Sequence, residues 1–155
     1  MSFTQNEERM LQELIARIRE RIDSLEPFLK FQQHGLGMEG WLRVETVAAL
    51  RNIPEIKEIK VKNKGPDLTI FLSNEPEPKE VELKAHNSTS VAWCKSWRNK
   101  YPKVTCLFLM RKGRNLSKDL ESEGFLVKIE DVDSNWITGI LKLSNPRGGI
   151  QDAES

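Results

Sequence analysis

The sequence predicts an α/β fold, a mixed central β-sheet flanked by helices. Two observations carry that prediction. Three short apolar segments, at residues 56–61, 68–72 and 80–85, are separated only by polar turns marked by Asn, Gly and Pro. After them, helical and strand-like segments alternate, and the run from 104 to 110 is the most apolar of the chain, as suits a central strand covered on both faces.

Each element has its own signal. Leu11, Leu14, Ile15, Ile18, Ile22 and Leu25 recur at helical spacing and predict a first helix over 6–25, with Pro27 near its end. Gly35, Gly37 and Gly40 read as a loop, followed by a second helix over 38–51 that stops at Asn52-Ile53-Pro54. The three strands come next. Ser88 or Thr89 is placed to cap a helix running to Lys100. The strand over 104–110 leads to a helix over 115–123, stopped by Gly124, and to a strand over 125–129. Trp136, Ile137, Ile140 and Leu141 predict a last short helix, and a mobile tail is expected from Ser144 on. The chain reads as one domain over 1–155, with an N-terminal helical extension over 1–30, a core over 38–132 and a tail over 144–155.

Composition narrows the classes of function. The chain has 155 residues, 38% of them hydrophobic and 30% charged, an ordinary globular balance. No apolar run reaches the length of a membrane span, and the opening Met1-Ser2-Phe3-Thr4 resembles neither a signal nor a transit peptide, so a cytoplasmic protein is expected. Cys94 and Cys106 have no Cys-x-x-Cys spacing and read as reduced thiols. With only His34 and His86 beside them, no familiar zinc spacing exists, so any metal should be a hard ion held by oxygen.

The chemistry-bearing residues lie on the second and third strands. Gly65-Pro66-Asp67-Leu68 opens one, and Val81-Glu82-Leu83-Lys84 fills the other. Pro66 lacks an N–H and is expected to hold Gly65 extended, leaving Asp67 at the mouth of its strand. Glu82 and Lys84 are two residues apart and share one face, while Val81, Leu83 and Ala85 take the other into the core. A register that brings Asp67 beside Glu82 would converge two carboxylates on one cation, although the sequence alone does not fix that register. Such a metal polarises a phosphoryl oxygen, and a neighbouring lysine orients the attacking water and offsets developing charge. Glu45 borders the apolar stripe of Trp41, Leu42, Ala48 and Ala49, so it is expected to be paired or to act as an outer ligand. Glu-x-Lys by itself carries little: Glu55-Ile56-Lys57, Glu58-Ile59-Lys60 and Glu77-Pro78-Lys79 match too, but none lies on a strand downstream of Asp67.

Pro66-Asp67 and Glu82-Leu83-Lys84, preceded by Glu45 in a helix, resemble the PD-(D/E)xK nuclease superfamily, the restriction-endonuclease-like fold, and their wording is similar to that of archaeal Holliday junction resolvases. The resemblance covers about 38–129. It implies an αβββαβ core, Mg²⁺ or Mn²⁺ as cofactor and hydrolysis of DNA. It assigns Asp67 and Glu82 as metal ligands, Glu45 as an accessory ligand and Lys84 as the catalytic lysine. Ser88, Thr89 and Ser90 stand where many members carry a polar residue, none clearly in register, and the basic N-terminal segment of junction resolvases is missing here.

Net charge is only +1, but nine Lys or Arg and no Asp or Glu lie between Lys84 and Lys118. Of these, Lys95, Arg98, Lys100, Arg111, Lys112 and Arg114 are candidate contacts to a DNA backbone. A solvated basic face is the plain alternative. Trp93 and Trp97, four apart, suit the core better than stacking on bases. Paired cuts on a duplex would favour a homodimer. The competing functional expectation is a catalytically silent nuclease-fold module that binds nucleic acid or a protein partner, or a structural subunit docked through its first helix.

Overall fold

A computed structural model describes residues 2–30 and 36–144. His34, Gly35 and residues 145–155 of the expected tail lie outside them.

Thr4 and Glu7 start the first helix, α1 (Gln5–Arg21), through a capping box. The Glu7 amide donates to Thr4 Oγ1 at 3.1 Å and the Thr4 amide to Glu7 Oε1 at 2.8 Å, so two otherwise orphaned donors are satisfied. The expected single helix over 6–25 is broken. A 3₁₀ turn, Ile22–Ser24, separates α1 from α2 (Leu25–Lys30). Pro27 falls in the first turn of α2, where its missing N–H costs no hydrogen bond. The second predicted helix is α3 (Leu36–Leu50); it begins early enough to include Gly37 rather than leaving it in a loop.

The strands β1 (Ile56–Val61), β2 (Leu68–Leu72) and β3 (Lys79–His86) precede α4 (Trp93–Lys100), β4 (Thr105–Arg111), α5 (Leu116–Ser122), β5 (Phe125–Asp131) and β6 (Trp136–Leu143). They form one six-stranded mixed sheet in the order β1-β2-β3-β4-β6-β5. Among the described residues only the β3–β4 pair is parallel. α4 starts at Trp93 after Ala92, and neither Ser88 nor Thr89 caps it.

Each face of the sheet has its own core. α1 and α3 cover Leu68, Ile70, Val81, Leu83, Leu107, Leu109, Trp136 and Ile140. On the other face, α4 and α5 cover Cys106, Phe108, Met110, Ile137 and Leu141. β4 divides its side chains between the two, which explains its unbroken apolar run. Burying each such Leu, Ile or Phe contributes roughly 1.5–3 kcal/mol.

The last predicted helix is a strand. β6 lies between β4 and β5, so the packed body runs through Leu143 instead of ending at 132. Residues four apart share a face in either conformation, so the spacing of Trp136, Ile137, Ile140 and Leu141 fits both. Gly139 also belongs in the strand. A Cβ there would lie 2.6 Å from the Lys128 carbonyl oxygen and 2.7 Å from the Phe108 ring.

Candidate active site

The β2–β3 register places Leu68 opposite Val81, Thr69 opposite Glu80 and Ile70 opposite Lys79. One step beyond Leu68, Asp67 therefore faces Glu82. β2 starts only at Leu68, so above this level β3 is paired with β4 on one edge but has no strand on its β2 edge, where side chains supply its partners. Asp67 Oδ2 accepts from the Leu83 amide at 2.9 Å, and the Asp67 amide donates to Glu82 Oε1 at 3.3 Å. The turn leading in is closed by the Lys62 amide on the Asp67 carbonyl at 2.9 Å. Within it Gly65 is not extended as expected. Its φ of 77° is left-handed, which a residue without Cβ adopts freely even before proline.

The two carboxyl groups are neighbours, joined through the Asp67 amide on Glu82 Oε1, and each shifts the protonation of the other. Glu82 is only 7% exposed. Burial, then the hydrogen bond and charge of Asp67, push its carboxyl up to about 8, against the pull of Lys84. Burial also raises Asp67, but the Glu82 proton, the Leu83 amide and Arg43 outweigh it and hold Asp67 below the ordinary range. A proton therefore favours Glu82, and Asp67 favours the carboxylate form. Its apolar floor includes Cys106, which stands beside Glu82 in the parallel β3–β4 register and is fully buried.

Lys84 follows on the same strand face, with Nζ 3.9 Å from Glu39 Oε1. Burial and then the Asp67 charge raise the Glu39 carboxyl, with Lys84 opposing between them. Arg43, one helical turn after Glu39 on α3, puts Nη2 2.7 Å from Asp67 Oδ1. Farther along β3, His86 stacks on Trp93 at 5.6 Å between ring centroids, and the buried His86 Nε2 and Trp93 Nε1 have no hydrogen-bond partner.

Of the residues expected at the site, Asp67, Glu82 and Lys84 come together. Glu45 does not. It is 3% exposed and accepts from Arg17 Nε at 2.6 Å and Arg21 Nε at 3.3 Å, clamping α3 to α1. Of the two alternatives for a carboxylate on an apolar stripe, pairing is the one observed. Glu39 is the α3 carboxylate at the site, six residues away on another side of the helix. Glu45→Gln is expected to lower stability by about 1–3 kcal/mol, which thermal melts measure.

Most of the basic candidates are paired with acids. Arg98 donates to the Glu123 carbonyl at 2.5 Å and pairs with its carboxylate at 3.4 Å, and Lys95 lies 4.0 Å from the same side chain. Arg111 is bound to Asn87 and Glu26 and lies over Trp136, while Lys112 pairs with Asp131 at 2.8 Å. Among the described residues, Lys100 and Arg114 have no ion pair. Among the described residues Lys64, exposed in the turn before Pro66, is likewise without one. Trp97 is core, 3% exposed.

No protein-family model matches the chain, and comparison with curated proteins and with solved structures gives no match. The local chemistry therefore carries the functional assignment. Among the described residues no cluster of three or more His, Cys, Asp or Glu is placed to hold a metal. Two close carboxylates still fit Mg²⁺ or Mn²⁺, because such ions take one or two protein carboxylates and complete their shell with water and phosphate oxygens. Among the described residues no helix is long and apolar enough to cross a membrane.

Proposed function

We propose that this protein is a metal-dependent endonuclease that hydrolyses DNA phosphodiester bonds on a restriction-endonuclease-like core. The single observation that carries the proposal is the Asp67–Glu82 pair, set opposite each other at the end of the β2–β3 register and joined by the Asp67 amide on Glu82 Oε1, with Lys84 next along the strand. Two carboxylates forced together in a buried place are costly unless a cation answers them. The element order α3-β1-β2-β3-α4-β4 supports the same reading.

When bound, Mg²⁺ or Mn²⁺ supplies Lewis acidity toward a phosphoryl oxygen. Asp67 and Glu82 would hold the ion. The Leu83 amide fixes Asp67, so its other oxygen faces the site. Lys84 is oriented by Glu39 and sits where it can position the attacking water and meet the charge that grows on the phosphoryl group. Water adds to phosphorus as the bond to the leaving sugar oxygen breaks, giving a phosphomonoester and an alcohol. The pairing of Lys95, Arg98, Arg111 and Lys112 with acids leaves Lys64, Lys100 and Arg114 as the stronger candidates for phosphate contact.

Incubation with plasmid and branched DNA tests the reading. Cutting is expected with Mg²⁺ or Mn²⁺ and none with EDTA; intact DNA under all conditions would leave the silent binding module.

The Glu82 proton sets a pH dependence. A metal must displace it, so Mn²⁺ affinity should rise by about tenfold per pH unit up to about pH 8 and then level off. The stability of the metal-free protein should run the other way. A carboxyl raised from 4.5 to about 8 in the folded state contributes stability present below 4.5 and lost as pH climbs through 8. Calorimetry and melting curves across this range check both signs.

A further inference from the structure

We propose that Arg43 competes with the metal for Asp67 and, once displaced, becomes the clamp for the DNA phosphate. This rests on the nuclease reading above. Asp67 has two oxygens. The Leu83 amide occupies Oδ2, and Arg43 occupies Oδ1, the one left for a cation. The Arg43 side chain is 38% exposed, so it can leave toward solvent without a buried path. Its fit to Asp67 is incomplete: a single Nη2 contact is made, and Nε is buried with no partner. The strongest arginine–carboxylate pairs are frequently bidentate, with two parallel hydrogen bonds.

The charge count gives the displaced guanidinium a destination. Asp67, Glu82 and Glu39 face Arg43 and Lys84. With all three acids ionised, these groups sum to one negative charge. A divalent ion turns that into one positive charge, and the pair of like charges at Asp67 drives Arg43 off its carboxylate. One phosphodiester carries the single negative charge that restores balance. Arg43 starts within one side-chain length of the ion's oxygen, and its planar fork suits two phosphate oxygens. Glu39, one turn earlier on α3, keeps Lys84 in place meanwhile, so the helix presents one fixed and one exchangeable pair.

The test is calorimetric titration of Mn²⁺ alone into the full chain, as wild type, Arg43→Ala and Arg43→Gln. Arg43→Gln retains a hydrogen-bond donor for Asp67 and guards against loss of folding in the alanine variant. Both variants are expected to bind Mn²⁺ about two- to fivefold more tightly, the fold-change a partly exposed ion pair is worth. In plasmid cleavage at saturating Mn²⁺, Arg43→Gln is expected to raise KM about tenfold, with a smaller change in kcat. Equal or weaker Mn²⁺ binding by both variants, with wild-type binding intact, overturns the competition while sparing the nuclease reading. Tighter binding with unchanged KM overturns the phosphate clamp. Absence of Mn²⁺ binding in wild type and variants alike sinks the metal site itself.

Discussion

Glu82→Gln and Lys84→Ala are each expected to cut the rate of DNA cleavage by about a hundredfold or more while leaving duplex binding in place. The glutamine keeps the shape of Glu82 and a hydrogen bond to Asp67, but it cannot become the second anion of a metal site. In Lys84→Ala both acids remain, and what is lost is the ammonium that stands next to them on the β3 face. The side chain sits 3.9 Å from Glu39, so a short polar substitute cannot span the distance to that partner. Gel assays of plasmid nicking, paired with anisotropy of a labelled duplex, separate the two effects. Wild-type rates in both variants would defeat the assignment. Loss of binding together with cutting would indicate that these residues support the fold instead of the chemistry.

The largest effect on stability is expected far from this site, at Glu7. Its carboxylate is 1% exposed and serves four partners. It caps α1 through the Thr4 amide, accepts from Thr105 Oγ1 at 3.0 Å, and pairs with Lys142 at 2.7 Å and Lys79 at 3.6 Å. These contacts tie the start of α1 to β3, β4 and β6. Glu7→Ala leaves two lysines, 20% and 16% exposed, without their shared anion. The expected loss is about 3–5 kcal/mol. For a chain of this size that is a drop in Tm of roughly 10 °C. Burial pushes the Glu7 carboxyl up, but Lys142, the Thr4 amide and Lys79 outweigh it and hold it below its usual 4.5. Its contribution is therefore present above pH 4.5 and lost as pH falls through the lower folded value, so the Glu7→Ala deficit should shrink in acid.

The difference between Glu7 and Asp67–Glu82 explains what the sequence could and could not reveal. Val81, Leu83 and Ala85 alternate with Glu82 and Lys84, and that period of two placed the acid and the lysine on one face without any structure. Whether Asp67 lay opposite Glu82 depended on the register, which comes from three-dimensional pairing of β2 with β3. The same gap hid Glu7. Its lysine partners Lys79 and Lys142 are 72 and 135 residues away, and nothing local announces them. The partners of the basic tract were hidden for the same reason: Glu26, Glu123 and Asp131, all outside it, pair with Arg111, Arg98 and Lys112.

Glu45 was a closer miss. Its burial was legible from the apolar stripe, and Arg17 and Arg21, four apart on α1, were the available signal for its partner. Glu39 and Arg43 carry the same spacing on α3 and were passed over because they lie off that stripe. β6 could not be read as a strand from four apolar residues whose spacing suits two structures. Gly139, wedged between β4 and β5, gave a hint that became clear only with both neighbours in place.

Titration of Mn²⁺ into wild type and Asp67→Asn at a pH above 8, where Glu82 has lost its proton, tests the central claim most directly. Wild type should take up metal and Asp67→Asn should not. Uptake that is absent in wild type, or equal in the two proteins, would contradict a metal centre built on Asp67 and Glu82.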